Sequence, residues 1–195
     1  MARTAGHPFR TELIGAVLMV ALGSTLHFAF DWAGGWRPLA LVAAVNESIW
    51  EHLKLAFWPG LLWGAVMPLP PGRGRADALA AEGVGLLAAA GLIVGIFTSY
   101  TAILGRNLLA LDIATFVLAI LAGQMLTAWL LTRGPGRRRA MLGPGLVLLA
   151  LQFGAYSLFT FFPPDHWLFV ETRSGLRGLP PGDGPQGSSD GQVGK

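Results

Sequence analysis

The segment VNESIWEHLKLAFWPG, residues 45–60, places four ionisable side chains at the start of an apolar stretch: Glu47, Glu51, His52 and Lys54. Carboxylates and imidazoles bind divalent metal ions and transfer protons, and a lysine ammonium group holds anions. Ionisable groups at the end of a membrane-length helix are costly, so they generally serve a function. The sequence therefore predicts a polar site here, completed by residues from other elements.

The composition indicates which elements these are. Of the 195 residues, 53% are hydrophobic and 13% charged, whereas about 25% are charged in soluble domains. Five charge-free runs cover residues 13–30, 55–72, 83–105, 113–132 and 140–164. A helix needs roughly 20 mainly apolar residues to cross a bilayer core. We therefore predict an all-α integral membrane bundle of five transmembrane helices, a multi-pass protein of the cell membrane in contact with its lipids.

The distribution of arginine predicts the orientation of this bundle. With a cytoplasmic N-terminus, eight arginines lie in inner segments, namely Arg3, Arg10, Arg73, Arg75, Arg133, Arg137, Arg138 and Arg139. The two outer loops contain only Arg37 and Arg106. This asymmetry follows the positive-inside rule. It predicts an inner N-terminus and an outer C-terminus, and it explains the net charge of +3 without nucleic acid as a partner.

Two further features concern organisation. Residues 1–178 are predicted to form the transmembrane domain, and residues 179–195, rich in Gly, Pro, Ser and Asp, a disordered tail. The apolar segment 38–46 between the first two helices is too short to span a membrane, which favours an interfacial or re-entrant segment. The chain has no cysteine, so a disulfide or a thiolate metal site is excluded.

Small residues predict how the helices pack. Gly91 and Gly95 form a small-xxx-small pair on the third helix, which is typical of close helix contacts in membranes. On the fourth helix, Thr115, Ala119 and Gly123 share a face with Asp112. This face is predicted to pack inward and to direct Asp112 into the bundle.

The predicted topology brings the polar residues to the outer end of the bundle. His27 and Asp31 end the first helix, residues 46–54 begin the second, and Asp112 begins the fourth. Asp165, His166 and Glu171 follow the fifth helix. Local roles are also compatible with the pattern. Ser48 and Glu51 are spaced as a helix-capping box, and Glu47, Glu51 and Lys54 can neutralise one another on one helix face.

Three segments, HFAFDW, VNESIWEHLKLAFWP and FFPPDHWLFVETRSGLRG, resemble an uncharacterised family of small bacterial multi-pass membrane proteins. Its signature is Asn-Glu-Ser-x-Trp-Glu-His-x-Lys. The matching positions are His27, Asp31, Asn46, Glu47, Ser48, Trp50, Glu51, His52, Lys54, Pro163, Pro164, Leu168, Phe169, Ser174, Gly175 and Gly178. Glu171 replaces an expected aspartate and Arg177 an expected aromatic residue. The resemblance implies a membrane bundle and assigns no activity.

Several functions are compatible with these residues. In a binding or accessory protein, Asn46, Lys54 and Asp112 would contact a small-molecule or lipid ligand, with Glu47 and Glu51 adding charge. In a metal-dependent hydrolase for a lipid or lipid-linked substrate, His27, His52 and a carboxylate from Asp31, Glu51 or Asp112 would hold Zn²⁺. Glu47 or Glu51 would then be the catalytic general base. A haem between His27 and His52 and a purely structural role are the remaining alternatives.

Overall fold

The structure, a computed structural model, describes residues 6–171 and 174–180, and this part of the chain is helical and contains no strand. The helices are α1 (Gly6–Trp32), α2 (Ile49–Val66), α3 (Arg75–Leu104), α4 (Leu109–Leu131) and α5 (Pro135–Leu158). Short 3-10 turns cover Arg37–Leu41 and Trp167–Phe169. The all-α prediction is confirmed.

Four of the helices, α1, α3, α4 and α5, are long and apolar enough to cross a membrane. This is the pattern of a multi-pass membrane protein. The remaining helix, α2, has 18 residues and is not among the four. Its first two turns contain Glu51, His52 and Lys54, and these side chains lower its apolar character.

Burial follows the rules of a protein in lipid. Large apolar side chains, such as Leu13, Val17 and Leu151, face outward. Four ionisable side chains of the described helices lie inside: Glu12, Glu51, Lys54 and Glu82 are at most 1% exposed. A bilayer core offers no water to satisfy polar groups, so such groups turn inward while apolar groups contact the lipid tails.

Glycines set the closest contacts of α3, which packs against α2, α4 and α5. A Cβ added to Gly85 would lie 2.7 Å from the backbone oxygen of Gly123 on α4. A Cβ added to Gly83 would collide with the backbone oxygen of Gly145 on α5. Only residues without a Cβ allow the backbones to approach this closely.

The packing prediction for Gly91 and Gly95 is wrong. Both are exposed, and no atom of the described chain outside the local helix backbone lies within 4 Å of a Cβ added to either. The packing face predicted for α4 is confirmed, because Thr115, Ala119 and Gly123 are all buried. The difference is that α3 packs through Gly83 and Gly85, about two to three turns closer to its N-terminus. Asp112 is half-buried and bonds Tyr100 and Asn107 at the α3–α4 connection, so it does not point into the bundle as predicted.

Two non-helical segments cover one end of the bundle. The 3-10 turn Arg37–Leu41 is followed by buried Ala43, in the region predicted to be interfacial or re-entrant. After α5, the chain returns over the same end, where Leu179 packs against Ala43 and its neighbours. Residues 181–195, nearly all of the predicted disordered tail, lie outside the described residues.

Candidate metal-binding site

The start of α2 is fixed by short-range hydrogen bonds. Ser48 is the N-cap, and its hydroxyl accepts a bond from the Glu51 N–H at 3.4 Å. The Ser48 N–H donates to the Asn46 side-chain oxygen at 2.9 Å, and the Asn46 amide donates to the Gly178 carbonyl at 2.8 Å. Ser48 therefore caps the helix as the sequence predicted. Glu51 does not complete the capping box, because its carboxylate bonds the Val45 N–H at 3.1 Å.

Three of the side chains that the sequence placed at one end of the bundle lie close together: His27 from the end of α1, Glu47 from the loop before α2, and His52 from the first turn of α2. The Nε2 atoms of His27 and His52 lie 3.8 and 3.5 Å from the two carboxylate oxygens of Glu47. One ligand atom from each residue lies within 4.8 Å of the other two. The imidazole rings are 5.1 Å apart between centroids. Side chains at such separations can close around a single metal ion.

The orientation of His52 is fixed by the backbone. Its Nδ1 lies 2.8 Å from the carbonyl oxygen of Ser48. A carbonyl only accepts hydrogen bonds, so Nδ1 carries the proton and Nε2 presents its lone pair towards Glu47 and His27. This is the arrangement found around histidine metal ligands, in which the second ring nitrogen donates to a fixed oxygen.

The site is open to its surroundings. The side chains of His27, His52 and Glu47 are 25%, 34% and 52% exposed. An ion can therefore reach the three ligand atoms without rearrangement of the bundle. Within the described residues, the buried Nδ1 of His27 has no hydrogen-bond partner.

Glu51 and Lys54 form a separate ion pair that is buried from solvent. Their charged atoms are 2.7 Å apart, and their side chains are 2% and 0% exposed. Lys54 also donates to the Ala40 carbonyl and to the Thr160 hydroxyl, each at 2.8 Å. Thr160 donates to Glu51 at 3.2 Å. The pair thus joins the start of α2 to the 3-10 turn before it and to the segment after α5.

The other predicted residues lie elsewhere. Asp31 is exposed, one turn beyond His27, and is not part of the three-residue group. Asp112 accepts hydrogen bonds from the Tyr100 hydroxyl and from Asn107, the latter at 3.2 Å, at the α3–α4 connection. The Asn46 side chain forms hydrogen bonds with the backbone groups of Ser48 and Gly178, as described above. Glu171, in contrast, does approach the site, because its carboxylate accepts the Glu47 N–H at 3.4 Å.

The residues after α5 that the sequence placed near the site make their own contacts. Asp165 pairs with Arg177 at 2.6 Å, and the His166 ring accepts the Leu168 N–H at 3.3 Å. Neither side chain belongs to the three-residue group.

Sequence reasoning missed a second buried polar group towards the other end of the bundle. Glu12 and Glu82 are both 0% exposed. Each residue immediately precedes a charge-free run. The runs therefore predict both residues at the ends of membrane helices. The available signal was their position: Glu12 is six residues inside α1 and Glu82 seven residues inside α3.

Apolar helices around a polar interior, with two histidines and a carboxylate grouped at one end, define a helical multi-pass membrane protein with a candidate metal-binding site. The chain belongs to a family of unknown function, DUF6512, whose profile matches residues 2–179. The predicted resemblance to an uncharacterised family is confirmed to that extent, while the signature and the bacterial source remain predictions. No curated protein and no solved structure matches the chain.

Proposed function

We propose that this protein is a five-span protein of the cell membrane that binds a divalent transition metal ion, Zn²⁺ in the first instance, at the outer face. His27, Glu47 and His52 are the ligands. The observation that carries this proposal is the convergence of three ligand atoms, contributed by two helices and a loop, within 4.8 Å of one another.

The ligand set matches the preferences of zinc. Imidazole nitrogens and a carboxylate oxygen bind Zn²⁺ at about 2.0–2.2 Å, and two histidines with one glutamate form a known three-ligand set with a fourth position open. The Ser48 carbonyl supports this role for His52, because it holds Nδ1 and leaves Nε2 available. The open position would accept water or a group of a small-molecule or lipid ligand.

The geometry favours metal binding over hydrolysis. A hydrolytic site needs a general base beside the metal-bound water. Of the two predicted bases, Glu47 is a ligand in this proposal, and Glu51 is buried against Lys54. This geometry is also less compatible with haem binding. The His27 and His52 ring centroids are only 5.1 Å apart, and both Nε2 atoms face Glu47. A porphyrin would have to separate them.

The contacts at the two ends of the bundle support five spans. The Arg138 side chain donates to the Gly72 carbonyl at 2.9 Å, which joins the α4–α5 connection to the α2–α3 connection. The opposite end of α2 lies beside the end of α1 and the segment after α5, where Lys54 contacts Thr160. Since α2 runs from one end to the other, and 18 residues extend about 27 Å, it would cross the membrane with its neighbours.

The orientation follows from the same two ends. Arg73, Arg75, Arg133 and Arg138 belong to the end formed by the α2–α3 and α4–α5 connections. The positive-inside rule assigns this end to the cytoplasm, with the N-terminus. The metal-binding residues and the C-terminus are then outside.

Zinc titration of the purified, metal-stripped protein tests the proposal. We expect about one Zn²⁺ per chain by elemental analysis and calorimetry, and an affinity lower by about tenfold to a hundredfold or more in His27→Ala, Glu47→Gln and His52→Ala. Acidification should also weaken binding, because protons compete for the imidazole nitrogens.

His166→Ala is the matched control, because this histidine lies outside the three-residue group. It should bind zinc as the wild type does. Equal zinc binding by the wild type and the His52→Ala variant, or loss of binding in the His166→Ala control, would exclude the proposed site.

A further inference from the structure

A second cluster of polar side chains is buried where four helices meet, far from the metal-binding residues. Glu12 of α1 accepts a hydrogen bond from the Trp63 indole of α2 at 2.8 Å. Glu82 of α3 accepts one from the Gln124 amide of α4 at 2.7 Å. Each carboxyl group is thereby held through one oxygen by a neutral donor from a neighbouring helix.

The two carboxyl groups lie against the same stretch of α2. A Cβ added to Gly60 would be 2.9 Å from a carboxylate oxygen of Glu82, and one added to Gly64 would be 3.1 Å from its Cγ. Trp63, the partner of Glu12, stands between these glycines. Glu12 and Glu82 are thus held against the same segment of α2, residues 60–64. The glycines of this segment make room for the side chain of Glu82.

The pair lacks compensation from the protein. Within the described residues, no ion pair reaches Glu12 or Glu82. Arg75, the basic residue on the neighbouring turns of α3, is bound to the carbonyl oxygens of Gly64 and Met67 at 3.2 and 2.9 Å. A buried polar side chain of α5, Gln152, is neutral and donates to the Gly83 carbonyl at 2.8 Å.

Hydrogen-bond acceptors are also in excess. One oxygen each of Glu12, Glu82 and Gln124 is buried without a hydrogen-bond partner in the part of the chain that is described. Two adjacent carboxylates, both removed from water and with free oxygens, would be strongly unfavourable. A bound cation removes this cost. A proton is the smallest such cation, and it converts a free acceptor oxygen into a donor for its neighbour.

We infer that Glu12 and Glu82 form a proton-binding pair that holds one proton in common at neutral pH. One carboxylate takes a proton from hydronium and releases water, which leaves one neutral and one charged carboxyl group at this segment of α2. Release returns the proton to water and leaves two anions. Two buried carboxyl groups without a nearby cation hold a proton between them because like charges in a dry site cannot both persist.

The position of the pair suggests exchange with one side of the membrane. Glu12 and Glu82 lie about 9 and 10 Å along their helices from the first residues of α1 and α3. This is the end of the bundle opposite the metal-binding residues. Acidic residues at such depth serve proton relays in membrane proteins. The inference is independent of zinc binding and survives if no metal binds.

Infrared difference spectroscopy on the purified full-length protein tests this inference. We expect the carbonyl stretching band of one protonated carboxyl group at pH 7, its loss at alkaline pH, and its absence in the double variant Glu12→Gln/Glu82→Gln. Asp165→Asn is the control for a carboxyl group outside the pair and should retain the band. Absence of the band in the wild type, or its persistence in the double variant, would overturn the inference.

Two further measurements address folding and ion identity. Glutamine preserves shape and removes the need for the proton, so the double variant should fold and should lose the decline in stability with rising pH that the wild type shows. An equal decline in both would count against the pair. Replacement of choline chloride by NaCl at constant pH should leave the band unchanged. Its loss would identify Na⁺ as the bound cation and refute proton binding.

Discussion

At the start of α2, neighbouring residues serve different purposes because each points about 100° around the helix from the last. Glu51 turns inward to Lys54, and His52, the next residue, turns towards His27. The sequence supported this separation, since Ser48 has the type and spacing of an N-cap and Glu51 precedes Lys54 by three residues. It did not reveal Glu47 as the carboxylate between the histidines, because a loop residue has no periodicity from which its direction can be derived.

Among the features of individual residues, the buried ion pair of Glu51 and Lys54 is expected to affect stability most. Lys54→Met removes the cation paired with Glu51 and leaves a buried carboxylate, so we expect a loss of about 3–5 kcal/mol in the free energy of unfolding. The double variant Glu51→Gln/Lys54→Met should recover part of this loss. Equilibrium unfolding in detergent measures both values.

Arg177→Met is the matched control for Lys54→Met. Arg177 pairs with Asp165 at 2.6 Å, but the two side chains are 40% and 86% exposed. Exposed ion pairs contribute about 0–1 kcal/mol. If the two single variants were destabilised equally, burial would not be the source of the energy of the Glu51–Lys54 pair.

At the scale of elements, the helices were more predictable than their contacts. The charge-free run 83–105 predicted the third helix, and α3 covers Arg75–Leu104. The run 140–164 predicted the fifth, whereas α5 covers Pro135–Leu158, because apolarity marks membrane depth and not the ends of the helical hydrogen bonds. Small residues fit equally well against lipid and against protein. Their spacing therefore could not distinguish Gly85, which contacts α4, from Gly91, which is exposed.

Gly85→Ala tests which glycine of α3 is needed for packing. Its new Cβ would collide with the Thr127 hydroxyl and lie 2.7 Å from the Gly123 carbonyl oxygen, so α3 and α4 must separate. We expect a loss of about 1–3 kcal/mol in the free energy of unfolding. Gly91→Ala on the same helix meets no such atom and should be neutral or slightly stabilising, because alanine favours helix formation. Destabilisation by Gly91→Ala alone would mean that α3 packs through the other pair.

At the scale of the whole molecule, the sequence identified the end of the bundle at the start of α2 as polar but missed the buried acids near the opposite end. Both results have one physical origin. In the sequence analysis, a charged residue is treated as the boundary of a membrane segment. This is correct for His52 and its neighbours, which lie at the start of α2. It fails for Glu12 and Glu82, which are buried within the helices, where Trp63 and Gln124 each donate to one of their oxygens. Their burial results from the packing of four helices.

The natural absence of cysteine makes the proposed topology directly testable. Single cysteines at Ala33, Pro71 and Thr132, all exposed at the ends of helices or in connections, can be labelled in intact cells with a membrane-impermeant maleimide. With five spans and an inner N-terminus, only Ala33→Cys should react before the cells are permeabilised, and all three should react afterwards. If α2 turned back without crossing, Pro71→Cys and Thr132→Cys would react in intact cells as well, because every later segment would be inverted. Reaction of Pro71→Cys and Thr132→Cys without Ala33→Cys would instead reverse the orientation and move the metal-binding residues to the cytoplasmic side.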